Sequence, residues 1–175
     1  SLNQMDLALG LKFTKEAHRE FEFSGDLRGI AGINNNIGFS YLEMGLYWHG
    51  VHFLKKSVEM RQSYAKYAQV NLLFAYLHLG QMELARAELK NFEQLPVGDN
   101  YLLVCIQEIQ GLIALEDGDV KNAIRHFKRA ARTARASNLA REVSDLTLMA
   151  SAYLSDGDHA SALSAATRAT RIHRE

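Results

Sequence analysis

The chain has 175 residues, of which 47% are apolar, and its 20 basic residues balance its 20 acidic ones. This balance excludes a global electrostatic attraction to nucleic acid or to an anionic membrane, and a single cysteine excludes an internal disulfide framework. One proline and abundant Ala, Leu, Glu, Lys and Arg predict long helices. No apolar run has the length of a transmembrane helix. We therefore expect an all-α protein of a reducing compartment, the cytoplasm, with no membrane insertion.

Apolar periodicity and helix-breaking residues predict nine helices. In chain order they lie near residues 3–22, 25–44, 46–62, 66–79, 82–95, 101–117, 119–136, 139–156 and 158–173. The one predicted loop of any length, LPVGDN at residues 95–100, surrounds the lone proline. No strand is predicted.

One heptapeptide pattern occurs four times along these helices. The copies are YLEMGLY at 41–47, YLHLGQM at 76–82, ALEDGDV at 114–120 and YLSDGDH at 153–159, and they align without gaps. The fifth position is always glycine, at Gly45, Gly80, Gly118 and Gly157. A glycine that ends one helix in the left-handed conformation, just before a second helix, predicts a helix–turn–helix unit.

Two further glycines, Gly38 and Gly50, fall inside the two predicted helices of the first copy. Glycine in a helix interior costs about 1 kcal/mol relative to alanine. A missing side chain lets two helix backbones approach closely, which offsets this cost. Gly38 and Gly50 are therefore predicted to mark the closest contact between the two helices.

The pattern resembles the tetratricopeptide repeat (TPR) family, whose signature is W-x2-L-G-x2-Y, then G, then A-x3-F-x2-A. The first copy carries Asn34, Ile37, Gly38, Tyr41, Gly45, Gly50, Leu54 and Ser57 at signature positions. The third copy carries Gly111, Gly118, Ala123, Phe127 and Ala130. The signature tryptophan is absent from all copies, and the repeats are longer than 34 residues. The resemblance implies an all-α fold, a right-handed superhelical solenoid of TPR-like helix–turn–helix repeats.

The resemblance also implies how the chain divides. We expect a single repeat domain over 1–175, with a half-repeat at 3–24 and repeats at approximately 31–65, 66–100, 104–138 and 143–175. The half-repeat is inferred because NQMDLA at 3–8 is similar to GQMELA at 80–85, at the start of a second helix. A second helix without its first predicts a fragment of a larger protein.

Similarity to the family places a concave groove along the first helix of each repeat. The expected partner-binding residues are Asn35, Asn36, Phe39, Glu43, Tyr67, Val70, Asn71, Phe74, His78, Glu108 and Leu112. Leu42, Glu116, Thr147, Ser151 and Ser155 are placed beside them. Asn36 and Asn71 occupy equivalent positions, and a side-chain amide suits the backbone of an extended peptide. The alternative, that these asparagines cap or bridge neighbouring helices, stays open. An aromatic and aliphatic groove with an acidic C-terminal half favours an amphipathic helix or an apolar segment with some positive charge.

A basic stripe is expected on the opposite, convex side. Seven basic residues and no acidic one lie between Lys121 and Arg141. Six of them share one side of the predicted helix: Lys121, Arg125, Lys128, Arg129, Arg132 and Arg135. A solvated charged face is the usual interpretation, and the alternatives are an acidic partner or nucleic acid. No aromatics interleave the stripe, so stacking of single-stranded bases is not supported.

Residues that could carry chemistry are sparse. His49 and His52 lie three apart on one predicted helix, but no local carboxylate or cysteine joins them in a metal site. Cys105 lies in the apolar run YLLVCIQ without a basic neighbour, which predicts a buried structural thiol. We therefore expect no catalytic residues, no enzymatic activity, no cofactor and no metal.

The functional hypothesis is a protein-interaction module that binds a protein, a peptide or a neighbouring domain of its own chain. GDLRGIAGINNNIGFSYLEMGLY is similar to the longer TPR repeats of bacterial signalling proteins. Such arrays precede GGDEF diguanylate cyclase domains, histidine kinases or LuxR-type DNA-binding domains. The alternative is a structural role as a self-association platform that forms a homodimer. A weaker alternative is nucleic-acid contact through residues 121–141.

Overall fold

The computed structural model describes residues 2–93, 98–137 and 141–174, with the side chains of these residues except those of 2–8, 11, 15, 93 and 174. The described residues form nine helices and no strand. The helices are α1 Leu2–Ser24, α2 Leu27–Glu43, α3 Tyr47–Glu59, α4 Ala65–His78, α5 Met82–Glu93, α6 Asn100–Glu116, α7 Val120–Ala136, α8 Glu142–Ser155 and α9 His159–Arg174. The all-α prediction is confirmed.

The helix bounds differ from the predicted ones where the backbone changes conformation. α3 was predicted to reach residue 62 but ends at Glu59, because Arg61 has the left-handed φ of 51°. α2 starts at Leu27 rather than 25, since Gly25 is left-handed and Asp26 caps the helix. The C-terminal end predicted for α5 at 95 and the N-terminal end predicted for α8 at 139 lie outside the described residues, as does half of the predicted loop, at 95–97.

The repeated glycine ends a helix in every copy, as predicted. Gly45, Gly80, Gly118 and Gly157 have φ between 67° and 78°. After each glycine, the next backbone N–H donates to the carbonyl oxygen of the first residue of the heptapeptide, at 2.8–2.9 Å. This is the bond pattern of a glycine C-cap, in which the helix closes its last carbonyls on itself.

The structure reveals a fifth copy of this turn that the sequence comparison missed. Gly25 has φ 70°, and Asp26 N–H donates to Phe21 O at 3.1 Å. The Asp26 carboxylate also accepts from Gly29 N–H at 3.0 Å, which caps α2. The same aspartate cap recurs after two other turn glycines, at Asp119 and Asp158. The α1–α2 connection is therefore built like the turns inside the repeats.

The helices of the first pair touch at the two predicted glycines. A Cβ on Gly38 would lie 2.6 Å from Leu54 Cγ and 3.2 Å from Gly50 O. A Cβ on Gly50 would lie 3.0 Å from Gly38 O. Gly111 has the same role in the third pair, where a Cβ would meet the ring of Phe127 at 2.4 Å. The prediction that Gly38 and Gly50 mark the close approach is confirmed.

The chain divides into two compact units, Ser1–Gln94 and Leu95–Glu175. In the first unit Ile37, Leu54 and Leu73 are fully enclosed, and Ser57 Oγ donates to the carbonyl oxygen of Ala31 at 2.8 Å. In the second unit Phe127 packs in a cluster with Ala114, Ala123, Ile124 and Ala152. The organisation of 1–175 as one domain stays a prediction. Among the described helices, none is both long and apolar enough to cross a membrane.

Candidate functional site

A chain of three asparagine amides links α2 and α4 in the first unit. Asn71 Nδ2 donates to Asn35 Oδ1 at 3.0 Å, and Asn35 Nδ2 donates to Asn36 Oδ1 at 3.4 Å. Asn35 is nearly enclosed, whereas Asn36 is exposed. The bridging interpretation, made for Asn36 and Asn71, therefore holds for Asn71, whose partner on the neighbouring helix is Asn35. Asn36 is the solvent-exposed end of this series of hydrogen-bonded amides.

Seven of the predicted groove residues, Asn36 among them, remain at least partly accessible to solvent. They form what we call the α2–α4 face: Asn36, Phe39, Glu43, Tyr67, Asn71, Phe74 and His78. The α2 residues follow helical spacing at 36, 39 and 43, and those of α4 at 67, 71, 74 and 78, so each set shares one side of its helix. The Asn35–Asn71 hydrogen bond brings these two sides together.

Aromatic rings give the α2–α4 face its apolar character. The Phe39 side chain is 45% exposed, so much of its ring is available for contact. The His78 ring stacks on Tyr47 of α3, with ring centroids 4.6 Å apart and an interplanar angle of 5°. The face therefore combines an amide that can donate and accept hydrogen bonds with aromatic surface.

Besides Asn35, which is 9% exposed and bonded to Asn71, two further predicted groove residues are buried and cannot line an open surface. Val70 is 1% exposed because α4 packs against α2, α3 and α5, which leaves little of its circumference free. Glu108 is also 1% exposed, and its carboxylate accepts from both Nε and Nη2 of Arg141, with an Nε–Oε1 distance of 3.2 Å. The assignment of Val70 and Glu108 to the groove is wrong. Since Glu108 is neutralised internally, it does not make the C-terminal half acidic.

The other second-unit residues predicted beside the groove differ in how open they are. Leu112 is half-buried and packs against the Phe127 cluster. Glu116 is exposed at the end of α6. Thr147 and Ser155 are exposed, but their hydroxyl groups donate to carbonyl oxygens of α8 itself, at 2.9 and 3.2 Å. The hydroxyl groups of Thr147 and Ser155 are therefore already used as donors within α8.

A buried polar network in the second unit was not anticipated from the sequence. The Arg141 guanidinium pairs with Glu108 and lies 5.5 Å from the centre of the Tyr101 ring. Asp145 is fully enclosed beside this pair, and its burial, with the nearby Glu108, raises the pKa of its carboxyl group to about 9. Asp145 is therefore protonated at neutral pH. The signal available in the sequence was a single charged residue within an otherwise uncharged helical stretch, CIQEIQGLI.

Cys105 belongs to the same surroundings. It is fully buried, as predicted, and its burial raises the pKa of the thiol to about 12. At neutral pH the sulfur is a thiol and a poor nucleophile. The network thus joins α6 to the start of α8.

The histidines do not assemble a metal site within the described residues. His49 and His52 are both exposed, and their rings contact Tyr41 and Phe53 at centroid distances of 5.4 and 5.2 Å. No group of three His, Cys, Asp or Glu side chains that could hold a metal ion occurs in the part of the chain whose side chains are described.

All six residues of the basic stripe are exposed on α7. The opposite side of the helix carries Ala123, Phe127, Ala130 and Ala134, which are fully buried. The predicted division of this helix into a basic outer side and an apolar inner side is therefore correct.

The geometry is that of a helical-repeat protein, in which pairs of helices joined by glycine turns stack on one another. No known family model matches the sequence, and no curated protein matches it either. Solved structures do match, and they place the fold in the class of TPR-like helical solenoids.

Three of these structures illustrate the similarity. A Rap protein complexed with Competence and Sporulation Factor matches with a TM-score of 0.83 and 17% identity, over 97% of this chain and 50% of that chain. BtubC from P. vanneervenii matches with a TM-score of 0.71 and 18% identity, over 99% and 75%. The TPR-like repeats of a kinesin light chain from Podosopora anserina match with a TM-score of 0.64 and 14% identity, over 97% and 88%. This chain thus spans half the length of the Rap chain, and at these identities the likeness establishes the fold alone.

Proposed function

We propose that the chain is a protein-interaction module that binds a peptide segment on the α2–α4 face. The observation that carries the proposal is the amide chain ending at exposed Asn36, next to the half-exposed ring of Phe39. A side-chain amide offers a donor and an acceptor to the backbone of an extended peptide. An exposed aromatic ring offers a large apolar contact, the kind of anchor that dominates binding energies.

The preorganisation of this face supports the proposal. Asn35 is held between Asn71 and Asn36, so the Asn36 amide has a fixed neighbour before any ligand arrives. Ordering fewer side chains on binding lowers the entropic cost. Glu43 is exposed at the end of the same side of α2, so a ligand with a positive residue beside an apolar one is favoured. The Rap structure in complex with Competence and Sporulation Factor shows that a protein of this fold can form a complex.

The test is a selection of peptides from a random-sequence displayed library, followed by fluorescence anisotropy with the selected peptides. Phe39→Ala should weaken binding about tenfold or more, as expected for an aromatic anchor worth at least ~1.4 kcal/mol. Phe23→Ala is the matched control, because Phe23 is 93% exposed on α1 and outside the face. Equal losses in both variants, or peptides that bind Phe39→Ala as well as the unchanged protein, would refute the assignment of the face.

We further propose that this module is the regulatory part of a larger bacterial signalling protein with an output domain such as a GGDEF cyclase or a LuxR-type regulator. Support comes from the resemblance of residues 25–47 to the longer repeats of such proteins. The decisive observation is the coding sequence on both sides of these 175 residues. An adjoining output domain would support the proposal, whereas further repeats alone would replace it with a free-standing adaptor.

Self-association is the second candidate, and α1 carries the observation that favours it. Leu9 and Phe13 lie four residues apart on one side of α1 and are 52% and 59% exposed. Light scattering over a concentration series tests whether this side forms a homodimer. A dimer that Phe13→Ser converts to a monomer would support the candidate, and a strict monomer at high concentration would exclude it.

A further inference from the structure

A cleft in the second unit joins the basic stripe of α7 to residues that the sequence pattern had not connected with it. The cleft has a volume of about 300 Å³ and is bounded by α7, α8 and α9. Its lining residues are Lys128, Ala131, Arg132, Arg135, Leu146, Met149 and Arg168. A second depression, lined by Arg135, Glu142, Arg168, Arg171 and Ile172, shares Arg135 and Arg168 with it, so the two adjoin.

The rim of this α7–α9 cleft is strongly positive. Five cations surround it, namely Lys128, Arg132, Arg135, Arg168 and Arg171, and the lining residues include one carboxylate, Glu142. Glu142 is engaged by Arg168. Within the described side chains, Arg132, Arg135 and Arg171 form no ion pair. Since the whole chain has no net charge, this concentration of cations is a local property of the cleft.

The floor of the cleft is apolar. Ala131 and Leu146 are buried beneath it, and Met149 is half-buried. Lys128 holds its ammonium group 5.3 Å from the centre of the Tyr153 ring, which positions this cation on the rim. An apolar floor with a basic rim matches a ligand that carries an apolar side chain between carboxylates.

Nucleic acid fits this arrangement less well. A phosphate backbone needs cations but gains nothing from an apolar floor. Single-stranded nucleic acid gains from aromatic rings on which its bases stack, and no aromatic residue lines either depression. The chemistry therefore favours a protein ligand.

We propose that the α7–α9 cleft binds an acidic peptide segment of a partner protein, with an apolar side chain on Met149, above the buried Ala131 and Leu146, and carboxylates paired with Arg132, Arg135 and Arg171. This site shares no residue with the α2–α4 face, so the proposal does not depend on the function proposed above. Arginine suits this role because its planar guanidinium binds a carboxylate through two parallel hydrogen bonds.

The proposal is tested with a short fluorescein-labelled peptide in which Leu residues are flanked by Asp and Glu. Anisotropy titrations compare the unchanged protein with Arg132→Glu/Arg135→Glu in the cleft and with Arg125→Glu/Arg129→Glu. The second pair is the matched control, because both residues are exposed on the same helix but outside the cleft. Both variants change the net charge equally. Circular dichroism checks their helicity, and Arg135→Gln replaces the cleft variant if that variant loses helical signal.

We expect the cleft variant to weaken binding about tenfold or more and the control variant about twofold or less. A peptide with Ser in place of Leu should bind at least about tenfold more weakly to the unchanged protein, because the floor contact is lost. Equal losses in both protein variants would show a diffuse charge effect and overturn the proposal. It is also overturned if the Ser peptide binds as well as the Leu peptide, if a single-stranded oligonucleotide of equal charge binds more tightly, or if nothing binds.

Discussion

Replacing Gly38 by alanine tests how the first helix pair packs. The new methyl group would lie 2.6 Å from Leu54 Cγ and 3.2 Å from the backbone oxygen of Gly50. Leu54 is fully buried, so its side chain has little room to withdraw. Relieving this steric clash therefore requires α2 and α3 to move apart.

The expected change in unfolding free energy follows from two opposing contributions. Alanine in place of glycine favours the helix by about 1 kcal/mol, whereas overpacking a close contact costs about 1–3 kcal/mol. Gly10→Ala isolates the first term, because Gly10 lies inside α1 and a Cβ there would meet nothing within 4 Å. The free energy of unfolding of Gly38→Ala should therefore lie about 1–3 kcal/mol below that of Gly10→Ala.

Urea denaturation measures the difference, with circular dichroism for the helices and the fluorescence of the single tryptophan, Trp48, for the first unit. A difference of 1 kcal/mol also shifts the melting temperature by about 2–4 °C for a chain of this size. Equal unfolding free energies for Gly38→Ala and Gly10→Ala would refute the close-approach reasoning.

Three further predictions concern the turns and the buried network of the second unit. Gly118→Ala should lower the unfolding free energy by about 1–2 kcal/mol, because Gly118 has the left-handed φ of 74°. Gly98→Ala is the control, since a Cβ there would meet nothing within 4 Å, and it should not lower the unfolding free energy. Urea denaturation compares the two variants. Burial raises the pKa of Asp145 from 3.8 to about 9, so the folded protein keeps a proton that the unfolded chain loses, and stability should fall as pH rises between these values. Asp145→Asn cannot ionise and should flatten that dependence in melts over the same range; an unchanged slope would contradict the assignment. Cys105, whose thiol pKa is raised to about 12, should react with a disulfide reagent only after unfolding in denaturant, and rapid reaction of the native protein would contradict its burial.

The turns and the close helix contact were predictable because they depend on local chemistry. A left-handed backbone favours glycine whatever the rest of the fold does, so the repeated glycine at 45, 80, 118 and 157 identified four turns. The fifth turn, at Gly25, was missed because FEFSGDL shares only the glycine with the first copy, YLEMGLY. Its geometry is nevertheless the same.

The groove assignments that failed concern residues whose environment depends on distant parts of the chain. Val70 has the helical position of a groove residue, but packing of α4 against three other helices encloses it. Glu108 has the charge of a surface residue, but Arg141, 33 residues further on, neutralises it in the interior. Neither partner could be identified from spacing along one helix.

The sequence by itself therefore determined the all-α class, the helix–turn–helix repeat, the glycine contact of the first pair and the two-sided character of α7, since each rests on backbone preference or on the periodicity of one helix. Tertiary structure decided that Asn35 and Asn71 form the hydrogen bond between α2 and α4 and that Asn36 stays exposed to solvent. It also decided that Arg168 and Arg171 of α9 join the cations of α7 around one cleft. Helical periodicity relates residues three and four apart, whereas only the stacking of helix pairs brings together side chains more than thirty residues apart.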